Sequence, residues 1–120
     1  MLTTLHQTLA TMGTIYSFVL GVWGLYLFLR RRGPPGSFNG ALVIAQGIFV
    51  VEAILGVSLL LTGGQPKQDI HFLYGVSTFL TLPLAFTLTR GRTDSRTSLI
   101  YGLALMFLWG LALRAAQTAQ

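Results

Sequence analysis

A chain of 120 residues that is 52% hydrophobic and only 9% charged has far fewer charges than a soluble domain, in which roughly a quarter of residues are charged, and a water-soluble globule is excluded. The net charge of +5 does not mark a nucleic-acid partner, because seven of the eight basic residues are arginines placed at the ends of apolar stretches. Cysteine is absent, which removes disulfides, thiolate metal sites and covalent haem attachment through Cys-x-x-Cys-His.

A hydrocarbon core of about 30 Å is crossed by about 20 apolar residues in a helix. Four such stretches follow one another, predicted over about 5–29, 40–61, 70–88 and 98–116. The first stops at Arg30-Arg31-Arg32 and Gly33-Pro34-Pro35-Gly36, where proline cannot continue a helix. No Lys or Arg precedes it and no small-residue cleavage site follows it, so it is expected to stay in the protein. The second begins after Ser37 and Asn39, either able to cap a helix. The third has Asp69 as its expected cap, and Pro83 in its inner half should free the carbonyl of Phe79 and bend the helix. The fourth is followed by a short polar tail.

Continuous apolar runs exclude a β-barrel. Short connections make neighbouring helices antiparallel, so the expected fold is all-α, a single integral membrane domain built as an up-down-up-down four-helix bundle. Arg30, Arg31, Arg32, Arg90, Arg92 and Arg96 fall on one side of such a bundle, and Lys67 and Arg114 on the other. The positive-inside rule makes the first side cytoplasmic. Both termini are then outside, and a bacterial plasma membrane is the expected location.

His6 and His71 are the two histidines of the chain. Each lies near the outer start of a helix, the first and the third, which run in the same direction. Below His6 come Ala10, Gly13 and Ser17; below His71 come Gly75, Thr78 and Leu82. A stripe of small side chains under each imidazole predicts a slot for a flat cofactor, with one histidine nitrogen on each face of a haem iron. Arg114 and Lys67 are the cations available to propionates on that side. The plainer reading is that both histidines are interfacial polar residues and that the small side chains serve helix packing.

Glu52 is the one acid well inside a span, roughly 15 Å from the outer end of its helix at 1.5 Å per residue. It is a candidate proton relay by position. Its structural alternative is a protonated side chain hydrogen-bonded to Thr78, Thr81 or Tyr16. Trp23, Tyr26, Tyr101, Tyr74 and Trp109 are expected at the two interfaces.

Leu5-His6-Gln7-Thr8-Leu9-Ala10-Thr11-Met12-Gly13 resembles the His-Arg-led opening of a ligand-bearing helix in the haem A synthase family. Gln46, Glu52-Ala53-Ile54-Leu55-Gly56, Thr62-Gly63 and Asp69-Ile70-His71-Phe72 are similar to that family's next stretch, a helix leading through a short outer loop to a second ligating histidine. The resemblance covers roughly residues 4–90 and is to one four-helix half of a protein built from two. It implies non-covalent haem b held by His6 and His71, and either a homodimer or a place in a larger respiratory or photosynthetic complex. Gln7 and Thr3 stand where the family has arginine and commonly glutamate, which separates ligation from the family's oxidative chemistry. The expected function is therefore electron transfer by a small membrane cytochrome. A cofactor-free accessory subunit and a haem-modifying or quinol-oxidising enzyme are the alternatives, so stand-alone enzyme activity is left open.

Overall fold

The computed structural model is all-helical, with four helices: α1 (Leu2–Leu29), α2 (Gly36–Leu61), α3 (Ile70–Thr89) and α4 (Ser95–Thr118). It describes residues 2–61, 70–90 and 92–118, and the side chains of 4–61, 73–90 and 92–115. Thr4–Leu29, Gly36–Leu61 and Ser95–Ala115 are long and apolar enough to cross a membrane, and Leu73–Thr89 is a shorter apolar helix. The helices lie side by side in a body of 48 × 22 × 20 Å. Their cyclic order is α1, α2, α3, α4, with α1 closest to α4 and α2 least closely packed on α3. Among the described residues the backbones of α1 and α3, on opposite corners, do not approach each other.

Each helix turns a stripe at three- and four-residue spacing inward. On α2 it is Phe38, Leu42, Ala45, Phe49 and Glu52; on α4 it includes Tyr101, Leu105, Leu108 and Ala112. The outside is as apolar as the inside: Ile15, Val19, Val43, Ile44, Leu84 and Phe107 are exposed, while Ser17, Thr78, Thr81, Thr89 and Ser98 are buried. In water such a surface would be a liability; it suits lipid. The threonines cost little inside, because Thr78, Thr81 and Thr14 donate to the carbonyls of Gly75, Ser77 and Ala10 in their own helices.

Close approach is concentrated where α1 meets α4. A Cβ on Gly24 would come within 2.9 Å of the Gly102 Cα, and one on Gly102 within 2.9 Å of the Leu25 backbone nitrogen. The two arginine loops are likewise packed on each other: Ser98 donates to the Arg32 carbonyl at 2.7 Å, and a Cβ on Gly33 would overlap the Thr93 carbonyl. All six arginines expected on one side thus share one end of the bundle.

α2 and α4 start earlier than the sequence expectation, while α1 ends at Leu29 as expected. α2 starts at Gly36, with Asn39 N–H bonded to the Pro35 carbonyl, so Ser37 and Asn39 lie in its first turn instead of capping it. α1 closes in a Schellman motif, with Arg32 N–H on Leu27 O and Arg31 N–H on Phe28 O. Arg31 takes the left-handed φ of 57° that glycine would adopt without strain. α4 starts at Ser95, three residues early, because Asp94 caps it: Oδ1 accepts the Thr97 hydroxyl at 2.8 Å and the Thr97 N–H at 3.1 Å.

Those bonds from Thr97, hydroxyl first, hold the Asp94 carboxyl below its ordinary range, and Arg92 adds to the effect. A folded-state pKa below the unfolded one means that the cap's contribution is in place above the ordinary carboxylate range and is lost as pH falls through the depressed value. The protection factor of the Thr97 amide, its exchange relative to the intrinsic rate at each pH, should fall on acidification, and Asp94→Ala should give the low protection already at neutral pH.

The carbonyl that Pro83 is expected to free has a partner from another helix. Without an N–H at Pro83, the Phe79 carbonyl has no helical donor, and the Gln46 side-chain amide reaches across from α2 to it at 3.1 Å. A polar side chain between helices here satisfies backbone that proline left open.

Candidate functional site

The end of the bundle away from the arginine loops gathers the chain's unusual side chains. α1 brings His6 against α2. The imidazole Nδ1 lies 3.3 Å from Glu52 Oε2, close enough for an ion pair but without hydrogen-bond geometry, and a Cβ on Gly56 would meet the His6 Cε1 at 3.5 Å. One edge of the ring therefore rests on α2 beside Gly56. Glu52 is 9% exposed, and its Oε1 has no hydrogen-bond partner among the described residues.

The pairing of Glu52 with His6 differs from the partners expected for this acid. Tyr16 donates to the Ala41 carbonyl at 3.1 Å, and Thr78 and Thr81 are turned to carbonyls of their own helix. The signal that could have found the pair is helical spacing: Glu52 and Gly56 are four residues apart and present one face, matching the single imidazole on the neighbouring antiparallel helix.

His71 belongs to the first turn of α3; its side chain lies outside the described residues, as do Lys67 and Asp69. The register nevertheless sets its level. His6 is level with Gly56, which is ten residues outward from Gln46; ten residues outward from Phe79, the contact of Gln46 on α3, is the beginning of α3. The backbones carrying the two histidines thus stand within about one helical turn, roughly 5 Å, of the same level.

The small residues expected beneath them differ in what they face. Gly13 is closed by α2: a Cβ there would meet the Phe49 ring at 3.1 Å and Ile48 at 3.3 Å. Ala10, half-buried, lies one turn above it. Gly75, one turn below His71, has nothing within 4 Å of where a Cβ would be. Space is therefore open on the α3 side, while on the α1 side the Phe49 ring fills the bundle from the level of Gly13 inward. Arg114 comes to the same end, with its guanidinium 5.9 Å from the centroid of the Tyr74 ring. Buried polar side chains occur at both ends of the bundle, Glu52 toward the histidine end and Thr89, Thr97 and Ser98 at the arginine end.

Among the described residues no three histidines, cysteines or acids stand together to cage a metal ion. What the site offers is an imidazole oriented by a carboxylate, space beside α3, and a cation at the rim. Comparison of the chain with protein-family models, curated proteins and solved structures finds no match.

Proposed function

We propose that the chain is a small integral membrane cytochrome that holds one non-covalent haem b between His6 and His71 and passes single electrons. The observation that carries this reading is the contact of His6 Nδ1 with Glu52. A carboxylate beside Nδ1 favours a proton on that nitrogen, which leaves Nε2 as the one that would meet a metal. Haem asks the protein for axial ligands alone, and it supplies a one-electron couple when bound.

Each neighbouring residue then has a role. His71 would complete the axial pair from the opposite corner of the bundle, where α1 and α3 leave a gap that neither backbone crosses. Gly75 would leave room for the macrocycle, and Phe49 would form its floor at the level of Gly13, which confines the slot to the outermost turns. Arg114, steadied on Tyr74, would supply a charge-assisted bond to a propionate. By the positive-inside rule the arginine loops face the cytoplasm, and the haem end and both termini face outward, in a bacterial plasma membrane. The likeness to half of a two-half family supports a homodimer or a subunit role in a larger complex.

A second reading, an enzyme of haem modification or quinol oxidation, is favoured by the same His6–Glu52 contact, since a buried acid beside an imidazole can relay a proton. It requires turnover that is lost in Glu52→Gln while haem remains.

The test is a reduced-minus-oxidised absorption spectrum of the purified chain, with His6→Ala and His71→Ala beside it. A sharp low-spin haem signal, weakened or abolished in each single variant, is expected. A featureless spectrum from folded protein isolated with its native partners would leave the accessory subunit as the account of this chain. A signal that survives His6→Ala would remove Glu52 and α1 from the site.

A further inference from the structure

A groove of about 410 Å³ runs between α2 and α3 toward the arginine end, at the seam where neighbouring helices pack least closely. It follows α2 from Asn39 to Gln46, seven residues or about 10 Å. Its walls are apolar, with Val43 on one side and Leu82, Pro83 and Phe86 on the other. Val43 and Phe86 are 73% and 59% exposed, while Leu42, Leu82 and Tyr101 are buried, so the groove opens sideways on the outside of the bundle and its floor is core. Its size is that of ordinary small-molecule sites.

The two ends differ in chemistry. At the deep end the amide of Gln46 is turned to the Phe79 carbonyl. At the other end stands Arg92, in the loop after α3 and held against the end of that helix: Nε donates to the Thr89 carbonyl and Nη2 to the Leu88 carbonyl, each at 3.0 Å. A guanidinium has five N–H donors in a rigid fork, and these two bonds leave three. Asp94, the acid nearest in sequence, has its Oδ1 occupied by Thr97. Arg30, Arg31, Arg32, Arg90 and Arg96 lie at the same end of the bundle, and the local field is positive.

We infer that this groove is a binding site for one anionic phospholipid, with the phosphate on Arg92 and an acyl chain lying between α2 and α3. Charge complementarity selects the head group: a preorganised fork suits a phosphate oxygen pair, and the surrounding arginines favour a lipid with net negative charge over a zwitterionic one. The apolar walls and lateral opening select a hydrocarbon chain that enters from the bilayer. The inference depends on membrane insertion and not on haem.

The experiment is native mass spectrometry of the protein released from membranes of equal phosphatidylglycerol and phosphatidylcholine content, after confirming that the chain resists alkaline extraction. One phosphatidylglycerol per chain is expected to be retained. Arg92→Gln should lower the preference about fivefold, the effect of one basic residue near an anionic lipid, and Val43→Trp, which fills the groove at an exposed position, should lower retention of either lipid. Arg96→Gln, outside the groove lining, should change neither. Equal losses in Arg92→Gln and Arg96→Gln would reduce the effect to diffuse charge and overturn the site. So would retention unaffected by Val43→Trp, or full displacement by the water-soluble glycerophosphoglycerol head group, which would make this an anion site without a chain.

Discussion

Gly102→Val is expected to destabilise the bundle by about 3 kcal/mol, at the upper end of the usual range for overpacking, and to lower the thermal midpoint in detergent accordingly. Ordinary overpacking is relieved by a side chain changing rotamer. Here a Cβ on Gly102 would sit 2.9 Å from the backbone nitrogen of Leu25, and a Cβ on the facing Gly24 would sit 2.9 Å from the Gly102 Cα. Backbone cannot rotate out of the way, so α1 and α4 must separate. That seam is the closest in the molecule, and in lipid its stability rests on van der Waals packing because apolar burial gains little there. Gly110→Val is the control. It lies two turns further along the same helix with nothing within 4 Å of its missing Cβ, and its expected effect is near zero. Equal destabilisation by the two substitutions would mean that Gly102 matters for helix propensity and not for approach.

Glu52→Leu is expected to weaken haem binding about 10- to 100-fold, the usual consequence of removing the outer partner of a ligating histidine. Leucine has similar bulk and preserves packing, but it leaves His6 with no carboxylate to fix its ring against α2. Glu52→Gln keeps an oxygen acceptor within reach of Nδ1, so haem should stay bound and the midpoint potential should rise as a negative charge is withdrawn from the ligand. Haem titration of the apoprotein and redox potentiometry read the two effects separately. If Glu52→Leu binds haem as tightly as the parent, the 3.3 Å contact is packing alone, and the ligation proposal loses the observation on which it rests. Removing the acid could then even stabilise the fold, since a buried charge without a full set of partners is a cost.

How much of this could be read from the residues depends on the range of the physics. Four apolar runs, each bounded by proline, glycine or arginine, specify four helices, because in an apolar solvent every backbone group must be bonded within its own segment. The proline rule is equally local: Pro83 lacks its N–H whatever surrounds it, so an exposed Phe79 carbonyl could be foreseen while its donor, Gln46, could not. Asp94 is a preferred N-cap residue type, so a helix start at Ser95 is legible in the sequence, whereas the apolar run alone begins at Ser98.

The small residues show where sequence reasoning stops. A stripe of Ala10, Gly13 and Ser17 looks the same whether it faces a cofactor, another helix or lipid. The fold separates these cases: Gly13 carries the Phe49 ring, Gly24 and Gly102 carry each other, and Gly75 carries nothing within 4 Å. The candidate site divides in the same way. Residue spacing placed the two histidines near the same end of parallel helices, and the register of α1, α2 and α3 agrees with that level. It could not say that His6 leans on α2, nor that its neighbour there is Glu52.

By itself, then, the sequence determined the helices, their antiparallel order and the gathering of six arginines at one end, because hydropathy, proline geometry and charge act over a few residues. The tertiary structure decided which glycine meets which backbone, that Glu52 meets His6, and that a groove stays open beside Pro83. Those are contacts between residues more than 30 positions apart in the chain, set by the rotation and axial offset of each helix, and a helix's own residues do not specify either.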